Sequence, residues 1–323
     1  MCKRGISIAV AAALLALGAS QQVMAQAWPA KTIRLVSGAS PGSASDLVGR
    51  AVSEKIQAEL GVAVILENKM GAGGVIAAQH VATSAPDGYT VFVYTAAHTV
   101  TPLISKVPYD PVRDFAGVTP LAVVPNVLVV SAEKGYKSVK DLVAAGKANP
   151  GKLNYASVGV GTATYMNAEK FRASAGIDAV HVPYKGSPEA ITETMTGRVD
   201  YFFAPLVSAL PLIKDGRLLA LAVGTSKRSA LLPDVPTALE AGVAKADYVF
   251  WIGLLVPAKT PRDVINRLNQ ATIKALQTAD VRERLAKLGA EPFSMSPEQF
   301  DSYIKEELAQ NAEIIKAAGI KAE

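Results

Sequence analysis

The residues whose types and spacing could do chemistry lie in turns that follow short apolar runs. Gly38-Ala39-Ser40-Pro41-Gly42 has the G-x-S-x-G spacing of a nucleophile elbow, in which a serine at a strand-to-helix turn attacks an acyl carbon. That chemistry needs the N–H of the next residue to hold the oxyanion, and Pro41 has none. The turn also follows the first strand, before any sheet exists for it to crown. A secreted serine hydrolase built on Ser40 is thus a rival reading that the chemistry opposes. The three histidines, His80, His98 and His181, have no common metal-site spacing and no cysteine to complete one. We expect neither a metal nor a cofactor. His98, in the segment Thr95-Ala-Ala-His-Thr99, is the histidine best placed to meet a ligand, and Thr95 goes with it.

Three glycine-containing turns carry more information. Ser40-Pro41-Gly42-Ser43-Ala44-Ser45-Asp46 and Ser157-Val-Gly159-Val-Gly161-Thr162 each join a strand to a helix, and Gly71-Ala72-Gly73-Gly74 opens another helix. None completes G-x-G-x-x-G, since Thr164 stands where the final glycine should be, and no Walker-type lysine follows. What they offer is free backbone N–H groups at helix N-termini, with small hydroxyls in two of them. Such a turn binds an anion without arginine. Asp46 has two readings: it accepts N–H bonds that order the first turn, or it faces the ligand.

The elements that must position these turns alternate along the chain. Strand Ile33–Val36 precedes helix Asp46–Leu60; strand Val62–Leu66 precedes helix Gly74–Ser84; Tyr89–Tyr94 is a third strand. Strand-like runs follow at Gly117–Val124 and Val127–Val130. The grammar then restarts with a capping box at Ser138-Val-Lys-Asp141, strand Leu153–Ser157, a helix from about Thr162 to Ala175, strand Ala179–Val182 and a helix opened by Ser187-Pro188. Strands Tyr201–Phe203 and Leu219–Val223 flank a short helix, and the tail is mainly helical. This pattern predicts an α/β fold of two lobes, each a mostly parallel sheet flanked by helices. Val127–Val130 and Tyr248–Val256 would cross between them. Ligands of such sheets bind beyond the carboxyl ends of the strands, where the turns lie.

Composition narrows the setting. Lys3 and Arg4 precede an apolar run from Ile6 to Leu17 that ends at Ala25-Gln26-Ala27, which reads as a secretory signal peptide over residues 1–27, cut after Ala27 or Ala25. The sole cysteine, Cys2, leaves with it, so disulfides and thiol chemistry are excluded from the remaining 296 residues. Those residues hold 31 basic and 28 acidic side chains, a net of +3 spread along the chain, which gives no reason to expect nucleic acid. No later run is long enough to anchor the chain, so it should be soluble.

In order, the segments Trp28-Pro-Ala-Lys-Thr-Ile-Arg-Leu-Val36, Glu67-Asn68-Lys-Met-Gly71-Ala-Gly-Gly74, Ala85-Pro-Asp-Gly-Tyr-Thr90, Val107-Pro-Tyr-Asp-Pro111, Pro150-Gly-Lys-Leu-Asn-Tyr-Ala-Ser157, His181-Val-Pro-Tyr-Lys-Gly186 and Leu232-Pro-Asp-Val-Pro-Thr237 resemble the substrate-binding proteins of the tripartite tricarboxylate transporter family, the Bug-type receptors. The resemblance implies a periplasmic clamshell of the type II-like periplasmic-binding-protein kind, without catalysis. Its lobes would be residues 28–127 with 253–323, and 128–252. It would hold a small carboxylate (a di- or tricarboxylate, an amino acid or an aromatic acid) and, as a monomer, deliver it to a permease with large and small membrane subunits. A receptor serving a signalling partner would have the same cleft. Carried over, Ser40, Pro41, Gly42, Ser43 and Ser45 would form the first wall, and Asp46 keeps its two readings. Ser157, Gly159, Gly161 and Thr162 form the second-lobe cradle, approached by Tyr184, Lys185 and Gly186. The chain departs from the family at Ser43, where a second glycine is frequent, and at Asn311, where a tryptophan is. At Tyr165 a histidine is usual; the larger ring would narrow the pocket or stack on an aromatic ligand.

Overall fold

The computed structural model describes residues 28–317 and Ile320. The signal peptide read over residues 1–27 lies outside the described residues. The β-branched runs form strands and the periodic stretches form helices, so the chain alternates as its pattern predicts. β1 (Ile33–Ser37) feeds α1 (Ala44–Leu60). β2 (Val64–Asn68) leads through a 3-10 turn at Ala72–Gly74 into α2 (Val75–Ala82), and β3 (Thr90–Thr95) into α3 (Ala97–Ile104). β4 (Phe115–Ser131) then precedes α4 (Val139–Ala148), β5 (Leu153–Ser157), α5 (Ala163–Ala175), β6 (Ala179–Pro183) and α6 (Ser187–Met195). β7 (Tyr201–Pro205), α7 (Leu206–Lys214) and β8 (Leu218–Val223) follow. β9 (Val249–Pro257), α8 (Arg262–Gln277), α9 (Ala279–Leu288), β10 (Glu291–Pro292) and α10 (Pro297–Ala317) complete the order.

The strands pair in the order β2-β1-β3-β9-β4-β7-β5-β6, with β8 and β10 also on β4. Parallel strands build two three-stranded cores, β2-β1-β3 and β6-β5-β7, whose strands are joined through crossover helices. β4 and β9 pair antiparallel to their neighbours and join the cores. β4 does so alone over 17 residues: Phe115 to Pro125 pair with β9, and Asn126 to Val129 with β7. The sequence suggested two separate strands here. They fuse because Pro125 sits opposite Val249 without ending the ladder, and the strand absorbs Pro120 at a register shift before Ala122.

Helix α3 is a second departure. Thr99, Val100, Thr101 and Pro102 make a poor helical signal, yet tertiary burial holds them in a helix. Val100 and Ile104 of α3 and Ile315 of α10 share one core cluster with Leu128, Tyr155, Phe171 and Phe203. A second cluster packs Val127, Phe202, Ile191 and Leu210 on the other face of the same strands. Among the described residues no helix is long and apolar enough to cross a membrane.

Candidate ligand-binding site

The residues beyond the carboxyl ends of β1, β3, β5 and β7 converge on one small cavity of ≈ 50 Å³. Gly38, Ala39, Ser43, Ala44 and Ser45 come from the first turn and Val158, Thr162, Ala163 and Thr164 from the second; Gly73, Tyr94, Thr95, Lys185, Ser187, Pro205 and Phe250 complete the lining. Phe250 comes from β9, so both joining and core strands contribute.

The two walls share an unusual local feature. Ser43 and Thr162 are the N-caps of α1 and α5, with extended backbones (ψ 163° and 160°) suited to capping. Neither hydroxyl caps its helix. Ser43 Oγ lies 3.2 Å from Ser40 Oγ and accepts the Ser187 N–H at 3.1 Å. Thr162 Oγ1 donates to the Gly159 carbonyl at 2.6 Å and lies 3.0 Å from Thr164 Oγ1. The first-turn N–H groups of both helices, at the positive ends of two helix dipoles, are therefore left for a ligand.

Each turn is braced from behind. Asp46 Oδ2 accepts the Gly42 N–H at 2.9 Å, and Oδ1 accepts from Arg50 and Asn68, both at 3.0 Å. In the second turn, Ser157 Oγ accepts the Gly159 N–H at 2.9 Å and lies 2.6 Å from His181 Nε2, while Thr164 Oγ1 accepts the Val158 N–H at 3.0 Å. The turns also touch across the cavity. A Cβ on Gly186 would stand 1.8 Å from Ser40 Oγ and 2.7 Å from Ser43 Oγ, and one on Gly159 would stand 2.8 Å from Gly73 Cα. Only bare backbone permits this approach.

The expected residues separate into three groups. Ser43, Ser45, Thr95, Thr162 and Lys185 line the inner cavity. Gly159 and Tyr184 line an adjoining outer cavity of ≈ 560 Å³, with Gly73 and Lys185 shared between the two. The others stand behind the walls. Ser40, Pro41, Gly42, Ser157, Gly161 and Gly186 shape or brace the turns. Of the two readings of Asp46, the geometry favours the ordering one, since both its carboxylate oxygens are engaged within the turn and by its neighbours. Tyr165 is corrected to the core, where its ring meets His181 edge-on at 5.0 Å. His98 is corrected most strongly. It is fully buried, with Nε2 2.8 Å from the Pro111 carbonyl and its ring edge-on to Phe115 at 4.9 Å. Burial pushes its pKa down to about 4, so it is a neutral core residue.

Sequence reasoning missed Tyr94, Ala163, Thr164, Pro205 and Phe250. Ala163 and Thr164 follow at once from recognising an N-cap, because the next residues carry the free N–H groups. Tyr94 is a buried phenol, its pKa raised by desolvation, that donates to the Gly73 carbonyl at 2.8 Å and holds the third glycine turn in place.

A family model for the tripartite tricarboxylate transporter family receptor matches residues 48–320. The chain belongs to this family. The structure of periplasmic binding protein BugD matches with a TM-score of 0.88 at 29% identity, covering 92% of this chain and 100% of that one. An R. palustris protein with adipate gives 0.87 at 31% identity, covering 91% and 99%. MatC from Rhodopseudomonas palustris with bound malate gives 0.83 at 30%, covering 89% and 100%. The fold is thus the mixed α/β fold of the family's periplasmic solute-binding receptors, and the relatives are binding proteins rather than enzymes.

Proposed function

We propose that this chain is exported to the periplasm, binds a small carboxylate without catalysis and, as a monomer, hands it to a permease with large and small membrane subunits. One observation carries this reading: two helices, α1 and α5, present uncapped N-termini to a single cavity from opposite sides. Two dipoles and their unpaired N–H groups hold an anion by charge-assisted hydrogen bonds in a site shielded from water. In this reading residues 28–127 with 253–323, and 128–252, are lobes that close by bending at β4 and β9. The contacts of Gly186 and Gly159 across the cavity are those of the closed form. The adipate and malate in the two relatives make dicarboxylates the first compounds to try.

A thermal-shift titration with adipate, malate, glutamate and benzoate tests the proposal. At least one should raise the melting temperature progressively with concentration, as a ligand specific to the folded state must. If none of these acids, nor any other small carboxylate, raises it, the carboxylate reading fails.

A further inference from the structure

We propose that His181 is a positioning residue for ligand binding, the last acceptor of a hydrogen-bond chain that keeps the N-terminus of α5 uncapped. This rests on the reading of that N-terminus as one half of a carboxylate site. Tyr155 and His181 are register partners on the parallel strands β5 and β6, and Ser157, two residues beyond Tyr155, projects from the same face. Ser157 is fully buried, and its Oγ has two hydrogen-bond partners among the described residues: the Gly159 N–H at 2.9 Å and His181 Nε2 at 2.6 Å. The Gly159 N–H is a donor, so the Ser157 proton goes to Nε2. His181 therefore accepts through Nε2 and carries its ring proton on Nδ1.

The same polarity runs back to the inner cavity. Thr162 Oγ1 donates to the Gly159 carbonyl at 2.6 Å, so it is the acceptor of its 3.0 Å contact with Thr164 Oγ1. Thr164, Thr162, Gly159 and Ser157 thus share one hydrogen-bond direction that ends at His181, and each bond polarises the next. Without that acceptor the buried Ser157 hydroxyl is left unsatisfied and the Gly159 turn loses its anchor. Thr162 is then free to cap α5 and to occupy an N–H group that the ligand needs. The imidazole itself is held in place. It stacks on Tyr155 at 5.1 Å and meets Tyr165 edge-on at 5.0 Å, while the Tyr155 hydroxyl donates to Glu169 at 2.5 Å and Glu169 pairs with Arg172 at 2.8 Å.

The tautomer is tested on wild-type protein. Nitrogen NMR spectra of the unliganded mature chain at neutral pH should show His181 with Nε2 unprotonated and Nδ1 protonated; a proton on Nε2 rejects the proposal. Calorimetric titration with adipate, malate, glutamate and benzoate then identifies the tightest-bound acid as the probe for variants. His181→Leu and Ser157→Ala should each weaken it about tenfold, the effect of one lost hydrogen bond. His181→Gln, whose amide oxygen accepts the same proton, should stay within about twofold of wild type. The Ser157→Ala/His181→Leu double variant should bind as either single variant does, because both changes break the same chain. Additive losses, or a His181→Gln variant as weak as His181→Leu, would show that the ring only packs, and the carboxylate site would stand without it. If none of the acids binds wild-type protein, the carboxylate reading fails first and this role falls with it.

Discussion

Among the helices whose N-cap is a serine or threonine, two pairs stand in contrast. At α4 and α9, remote from the cavity, Ser138 accepts the Asp141 N–H and Thr278 accepts the Val281 N–H, so each helix start is satisfied by its own cap. At α1 and α5 the same residue types, Ser43 and Thr162, have matching backbone conformations but spend their hydroxyls elsewhere. Ser43 is drawn away by Ser40 and by the N–H of Ser187, and Thr162 by the Gly159 carbonyl. The difference shows that residue type alone does not make a cap. The proposed binding site lies where a competing partner takes the cap away and the freed N–H groups face a cavity.

The sharpest way to break this contrast is to hold the two uncapped starts apart. Gly186→Val places side-chain atoms where Ser40 and Ser43 sit, so it should weaken carboxylate affinity by roughly a thousandfold, about 4 kcal/mol. Calorimetry would detect this, and the melting temperature of unliganded protein should barely move. Retained affinity would mean that the two walls do not need to meet.

Acid should act on the core instead of the turns. His98 has its folded pKa lowered to about 4 by burial, from an ordinary value of 6.5. Above pH 6.5 both folded and unfolded forms are neutral, and this contribution is fully present. Between 6.5 and 4 the unfolded chain takes up the proton first, so stability falls by about 3 kcal/mol across that window. Urea melts at pH 7 and 4.5 should show a steeper loss for wild type than for His98→Gln; equal slopes would remove His98 as the cause.

Thr162→Ala removes the hydroxyl that ties the second turn to the Gly159 carbonyl, and should weaken binding by about 1–3 kcal/mol with a smaller effect on folding. Ser138→Ala is its counterpart at a capped start. It should cost about 1 kcal/mol of stability in denaturant melts and leave ligand affinity unchanged. If the two variants behaved alike in both assays, the distinction between capped and uncapped starts would carry no functional meaning.

Local chemistry was legible in the sequence, and tertiary competition was not. The run Leu153–Ser157 and the helix after Ser138 stand where propensity and capping signals put them, because both signals are contained within a few residues. The glycine and hydroxyl turns were legible for the same reason. The capping failure of Ser43 was hidden because its competitor, Ser187, lies 144 residues away. His98 misled because its surroundings, Tyr109, Phe115 and Pro111, come from a later segment that folds over α3. Phe250 and Tyr94 were hidden for a third reason: β9 and β3 are apolar almost throughout, so periodicity does not reveal which side chains look into the cavity.

Amide chemical shifts during an adipate titration test the central contrast most directly, since each N–H reports its own hydrogen bond. The amides of Ala44, Ser45, Ala163 and Thr164 should move downfield together with one saturation curve, while those of Asp141 and Val281 stay fixed. Saturable adipate binding that leaves those four amides unmoved would show that the uncapped helix starts are not where the anion sits.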